Sequence, residues 1–241
     1  YFPITDRHDQ LMNAFIITID SQPNPTIQLG NEKELLLRLS NRIVLYEKEI
    51  HIPLELSYYK LQEISYQKNC RNLWNKVERL TLIATMFHQY LKVAEYTHVQ
   101  RAALLSKSDL CSALVNEFPD LQGIIGKHYA LAQNEQHQVA IALEEQWMPR
   151  SKCDVPKTPT GIILSLSDKI DDLISFYSTS RDLYPLRKQA MGIVRILLKN
   201  KMSCNLQILL LKACQVVPIT NKKKATQTTI SVINTHKKLI F

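Results

Sequence analysis

The chain has 241 residues, is 45% hydrophobic and carries a formal charge of +8. That length allows one or two domains with a substantial core, and the apolar fraction is ordinary for a soluble globular protein. No run of about 18 or more apolar residues occurs, and LQILLLKACQVVP is short and carries Lys212, so no spanning helix is expected.

The first thirty residues differ from the rest. NAFIITID is rich in β-branched and aromatic residues and SQPNPTIQLG in turn formers, which predicts one or two strands. Asn31 is placed to cap a helix over EKELLLRLSNRIVLYEKEI. Pro53 ends the linker that follows, and a second helix is predicted over LELSYYKLQEISYQK. In LWNKVERLTLIATMFHQYL, residues Leu73, Val77, Leu80, Ala84, Phe87 and Leu91 recur at helical spacing and form one apolar face. THVQRAALLSKSDLCSALVNEF follows, with Val99, Ala103, Leu110 and Leu114 on one stripe. Further helices are predicted at EQHQVAIALEEQW, GIILSLSDKIDDLISFY and PLRKQAMGIVRILLKNK, with Pro119, Pro149, Pro156, Pro159 and Pro185 at helix starts or in loops. NKKKATQTTISVINTHKKLIF has no helical period and reads as strand, loop or disorder.

The charge is unevenly placed. Between Leu183 and Phe241 there are eleven Lys/Arg and no Asp/Glu, which leaves a net −3 for the remainder. Such a segment is either a surface facing a polyanion or one whose acidic partners lie elsewhere. The chain opens YFPITD, without Met, a basic n-region or a cleavage site, so no signal peptide is expected and it reads as an interior piece of a longer polypeptide. Its cysteines (Cys70, Cys111, Cys153, Cys204 and Cys214) are odd in number and form no CxxC pair, which fits reduced thiols better than a disulfide framework or a zinc site.

Motifs for chemistry are sparse. GxGxxG, Walker A, HExxH and GxSxG are absent. His8-Asp9 looks like the paired ligand of a metal phosphohydrolase, but it sits in a predicted turn, TDRHDQL, and is discounted. Glu144-Glu145 and Asp171-Asp172 read as solvated helix faces, whereas Asp168, four residues after Leu164, borders an apolar face. Two of the five glycines, Gly123 and Gly126, lie three apart in VNEFPDLQGIIGKHYALAQNE. Gly costs roughly 1 kcal/mol in a helix interior, so a close approach or a positive φ is expected there. The approach is to a neighbouring helix or loop, or to a nucleic-acid backbone.

The segment LSKSDLCSALVNEFPDLQGIIGKHYALAQNE resembles a long element of the beta subunit of bacterial heterotetrameric glycyl-tRNA synthetase. YFPITDRHDQLMNAFIITID, GNEKELLLRLSNRIVLYEKE, NKVERL, LSDKIDDL and DLYPLRKQAMGIVRILL resemble further elements of that family in the same order, from about Tyr1 to about Leu211. Two departures stand out: Gln146-Trp147 replaces the family's His-Tyr before Pro149-Arg150, and a glycine-bearing loop is shortened to STSRDLYPLRK.

The resemblance implies a mainly α fold: an HD-type helical domain over 61–217, preceded over 1–60 by the end of a small mixed α/β domain and a linker helix, and followed over 218–241 by a basic tail. It implies a tRNA-binding region of an ATP-dependent glycine–tRNA ligase, with no catalytic residue and no metal of its own. ATP and Mg²⁺ belong to the whole enzyme. The implied partners are tRNA(Gly) and a catalytic alpha subunit or alpha region, in a cytoplasmic, oligomeric assembly without membrane contact. Ser106, Lys107 and Asp168 fall where an HD metal site has ligands, which makes that site degenerate. Candidate tRNA contacts are Arg187, Lys188 and Arg195 on the predicted helix of the acid-free segment, with Lys107 and Lys127 near the glycine element. Arg187 and Arg195 share nearly one helical face, unless Arg187 pairs with Asp182 or a carboxylate of another domain. The rival readings are a metal-dependent HD-type phosphohydrolase and a purely structural spacer.

Overall fold

A computed structural model describes residues 1–22, 24–67, 71–151, 154–179 and 184–218. The chain divides into two compact units, Tyr1–Leu45 and Tyr46–Phe241. From residue 219 on, the expected basic tail lies outside the described residues.

In the first unit, β1 (Phe2–Thr5) pairs antiparallel with β2 (Leu11–Ile16). Asp6 closes the turn between them: its Oδ1 accepts from the backbone N–H of His8 at 2.8 Å and of Gln10 at 2.9 Å. His8-Asp9 is thus a hairpin turn, with Asp9 at φ 58°. Helix α1 (Pro25–Glu49) starts earlier than Asn31. Asn24 is the better cap because it precedes Pro25, which suits a first helical position, and its side chain accepts from Ile27 N at 2.9 Å. Asn31 lies inside the helix and donates back to Ile27 O.

The second unit is helical. Helix α2 (Leu54–Lys60) is shorter than predicted: a 3-10 turn follows at Leu61–Glu63, then a small antiparallel pair, β3 (Ser65–Gln67) with β4 (Arg71–Asn72). Buried Leu61, Leu73 and Val77 gather Tyr58, Ile64, Tyr66 and Trp74 around them, which fixes this extended segment against the next helix. Helix α3 (Leu73–Leu91) is capped by the Asn72 side chain, which accepts from Asn75 N, and ends at Lys92 in the left-handed region. The stretch after it is not one helix. Helix α4 (Tyr96–Leu105) gives way to a 3-10 turn at Ser108–Cys111, and Ser112 then caps the short α5 (Ala113–Glu117). Then come α6 (Ile124–Ala132), α7 (His137–Glu145), α8 (Pro159–Thr179), α9 (Tyr184–Lys199) and α10 (Leu206–Val216).

Helix α8 is the axis of this unit. Every residue from Thr160 to Asp171 is buried, and α3, α4, α7, α9 and α10 pack around it. Its apolar residues Ile163, Leu164, Leu166, Ile170, Leu173 and Ile174 are fully buried, each stabilising by roughly 1.5–3 kcal/mol. A helix enclosed on all sides must also settle its polar residues internally, and α8 carries Asp168, Lys169, Asp171 and Asp172. No helix among the described residues is long and apolar enough to cross a membrane.

Candidate anion-binding site

Asp168, Asp171 and Asp172 share one face of α8 because residues three and four apart are neighbours on a helix. Lys76 and Arg79, three apart on α3, face them. Arg79 grips Asp171 with Nε at 2.7 Å from Oδ1 and Nη2 at 3.1 Å from Oδ2. Lys76 Nζ lies 2.8 Å from Asp168 Oδ1 and 3.2 Å from Asp171 Oδ2, and also contacts Asp172. Lys107, just past the end of α4, places Nζ 2.8 Å from Asp168 Oδ2 and 4.1 Å from the centre of the Trp147 ring. The hydroxyl of Tyr66, delivered by the extended β3, donates to Asp172, and Gln189 on α9 donates to the other Asp172 oxygen at 2.8 Å.

Burial raises the carboxyl pKa of Asp168, but the ammoniums of Lys107 and Lys76 outweigh it and hold the group well below the usual carboxylate range. Burial raises that of Asp172, helped by the nearby charge of Asp168. Lys76 is desolvated too, yet Asp168 and Asp172 keep it firmly protonated. Lys169 turns to Gln146 O at 3.2 Å and Ser165 Oγ at 3.0 Å, and burial brings its pKa down to about 8.

The paired glycines serve Asp109. This carboxylate, buried in the 3-10 turn after Lys107, accepts from Gly123 N at 2.6 Å, at the start of α6. A negative group there suits the helix N-terminus. Gly123 has φ 78°, and a Cβ on it would meet Trp147 Cδ1 at 2.3 Å and Leu143 O at 2.8 Å. A Cβ on Gly126 would meet Asp109 Cγ at 3.2 Å. Both conditions weighed from the sequence therefore hold at Gly123: a positive φ, and a close approach, which here is to α7 and Trp147.

Above the ion-pair cluster lies a cavity of about 480 Å³, walled by α8, α9 and the connection from α7 to α8. Five cations line it (Arg150, Lys169, Arg187, Lys188 and Arg195) against the carboxylates of Asp168 and Asp172. Those two carboxylates are already met by Lys76, Lys107, Tyr66 and Gln189. Among the described residues no carboxylate pairs with Arg187, Lys188 or Arg195. The arrangement can hold an anion.

The structure brings Arg187, Lys188 and Arg195 together at this cavity, with Arg187 and Lys188 exposed. Asp182, the alternative partner for Arg187, lies outside the described residues. Lys127 sits apart, paired with Glu144 at 2.6 Å. Lys107 is not a surface residue at all: it is 2% exposed and committed to Asp168, so it offers nothing to a large ligand. Ser106, 1% exposed, faces the core with its hydroxyl unpartnered, and its carbonyl accepts from Gln146. The sequence reading of Asp171, Asp172 and Glu145 as solvated is corrected, since Asp171 is fully buried, the Asp172 side chain is 15% exposed and Glu145 is 6% exposed. Glu145 accepts from Lys157 N at 2.7 Å and from Thr158, anchoring the entry to α8. Lys76, Lys169 and Arg150 were missed. The available signal for the first was a Lys flanked by the apolar stripe of Leu73, Val77 and Leu80; nothing marked the other two.

Fold and site together define a helical domain with a basic pocket over a buried ion-pair cluster. The family model described as Glycyl-tRNA synthetase beta subunit matches residues 1–239. The chain is similar to the glycine–tRNA ligase beta subunit of Bacillus subtilis (strain 168), 37% identical over 221 residues that cover 87% of this chain and 32% of that protein. It is similar to those of Azotobacter vinelandii (36% over 216 residues, 86% and 31%) and Buchnera aphidicola subsp. Acyrthosiphon pisum (36% over 231 residues, 92% and 33%). The chain belongs to the glycyl-tRNA synthetase beta subunit family, and it spans about a third of the length of these relatives.

Proposed function

We propose that this chain is a tRNA-binding region of an ATP-dependent glycine–tRNA ligase, acting in the cytoplasm within an oligomer whose catalytic alpha subunit or alpha region handles ATP, Mg²⁺ and glycine. The observation that carries the reading is the convergence of Arg187, Lys188 and Arg195 on one open basic cavity without carboxylate partners among the described residues. Phosphate contacts need such unneutralised cations, and they position a polynucleotide without reading its bases.

The helical unit is read as an HD-type domain whose metal site is degenerate. A divalent cation does not fit the residues present. Where ligands belong, Ser106 offers a hydroxyl and Lys107 an ammonium, and the Asp168 carboxylate is already bracketed by Lys107 and Lys76. A harder cation would need oxygen donors in place of those ammoniums. This weighs against the phosphohydrolase alternative.

The test is tRNA binding by the 241-residue chain and by an Arg187→Glu/Arg195→Glu variant across a salt series. Weaker binding is expected from the variant, with a log–log salt slope smaller by about 1.4 to 1.8 if two phosphate contacts are lost. A folded variant with unchanged affinity and slope would move the tRNA surface elsewhere. Failure of the parent to bind tRNA at low salt would favour a spacer. The chain alone is expected not to charge tRNA with glycine, and charging by the purified chain would refute the division of labour.

A further inference from the structure

We propose that the cavity between α8, α9 and the α7–α8 connection recognises one phosphate-bearing nucleotide, either free or at an unpaired position of an RNA chain. This deepens the tRNA-binding reading by naming the unit that enters, and for the RNA source it rests on that reading.

Charge is the first ground. Arg150 and Lys169 face the same space as Arg187, Lys188 and Arg195, so the cations come from three separate segments and converge on one volume. Arginine forks suit phosphate oxygens. Asp168 and Asp172 at the floor would oppose an anion if bare, but the ammoniums of Lys76 and Lys107 lie directly against them. The wall is also built rather than incidental. A Cβ on Gly192 would come within 2.9 Å of Lys169 Cε, so α9 packs its backbone onto the Lys169 stem.

Size and polarity are the second ground. About 480 Å³ falls within the range of small-molecule sites, roughly 300–1,000 Å³, and exceeds what a lone phosphate fills. Pro149 and Met191 give it apolar wall. Gln146, fully buried and lining the cavity, spends both amide hydrogens on Ser106 O and Leu143 O, and its Oε1 has no partner. That acceptor is itself enclosed by protein, so the preference for a nucleotide over a bare phosphate rests on the size of the cavity and its apolar wall. The phosphates of a duplex lie on a convex surface and cannot follow the cavity inward, whereas an unpaired nucleotide can.

The experiment titrates AMP into the 241-residue chain by calorimetry at low salt, without tRNA. One saturable site is expected. Arg195→Glu and Lys169→Met should each weaken AMP by about tenfold or more, the loss of one charge-assisted contact, while both variants still unfold cooperatively. A single-stranded oligoadenylate that competes with AMP assigns the site to RNA, and AMP binding without that competition assigns it to a free nucleotide. A folded parent that ignores AMP, variants that bind it as the parent does, or inorganic phosphate binding as tightly as AMP would overturn the proposal. A chain that binds tRNA but not AMP sinks the pocket and leaves the tRNA reading standing; one that binds AMP but not tRNA does the reverse.

Discussion

The Lys107 ammonium and the Asp168 carboxylate meet at 2.8 Å with side-chain exposures of 3% and 9%. Removing one member of a buried pair leaves the other short of compensation, and without Lys107 the Asp168 carboxylate keeps only Lys76. Lys107→Met is expected to destabilise the chain by about 3 kcal/mol in urea unfolding. Adding Asp168→Asn should recover part of that loss, because the under-compensated carboxylate goes too. Strictly additive costs in the double variant would show that the two side chains are not coupled.

Lys169 gives the stability of the fold a pH signature. Its pKa is about 8 in the folded chain and about 10.4 when unfolded. Between those values the unfolded state binds more protons, so this group's contribution to stability rises with pH over that window. Below it the buried ammonium is a standing cost. Lys169→Met should therefore be more stable than the parent near pH 7, by up to about 3 kcal/mol. The advantage should shrink toward pH 10.4. An advantage that stays flat across the window would contradict the assignment.

Gly123 is predicted to tolerate no side chain. Gly123→Ala meets a backbone oxygen, Leu143 O, as well as the Trp147 ring, at φ 78°. Strain and overpacking together should cost roughly 2–4 kcal/mol by thermal or urea unfolding. Gly126→Ala, whose nearest neighbour is a side chain at 3.2 Å, should cost less. Equal costs at the two positions would refute this account.

Glu145 supplies a fourth test. It satisfies the N–H groups of Lys157 and Thr158 ahead of α8, and a Cβ on Gly161 would run into its carboxylate. Glu145→Ala leaves part-buried donors without their acceptor and should cost roughly 1–3 kcal/mol. Glu145→Gln keeps an acceptor and should lose about 1 kcal/mol. A harmless Glu145→Ala would return this residue to the solvated face that its sequence suggests.

Where the sequence spoke through local periodicity, it was legible. The apolar stripe from Leu73 to Leu91 marked α3, and the β-branched run NAFIITID marked β2, whereas the turn formers of SQPNPTIQLG hid the start of α1 at Pro25. The break between α4 and α5 was not, because Lys107 and Asp109 continue a helical pattern and leave it only to reach Asp168 and Gly123. The buried acids of α8 were misread for a related reason. Asp171 looks solvated until Arg79, 92 residues earlier, is placed beside it, and no local window contains both. At the cavity, Arg187 and Arg195 were legible as an acid-free helical face, whereas Arg150 and Lys169 joined them only through the packing of α9 on α8.

Lys76 and Lys107 reach the same carboxylate from two different helical segments. A counter-ion drawn from solution comes and goes with its concentration and can be stripped by a chelator. These two are bonded to the backbone. Their stoichiometry is set once, at translation, and the joint between α3, the end of α4 and α8 holds its charge balance whatever the surrounding ion supply.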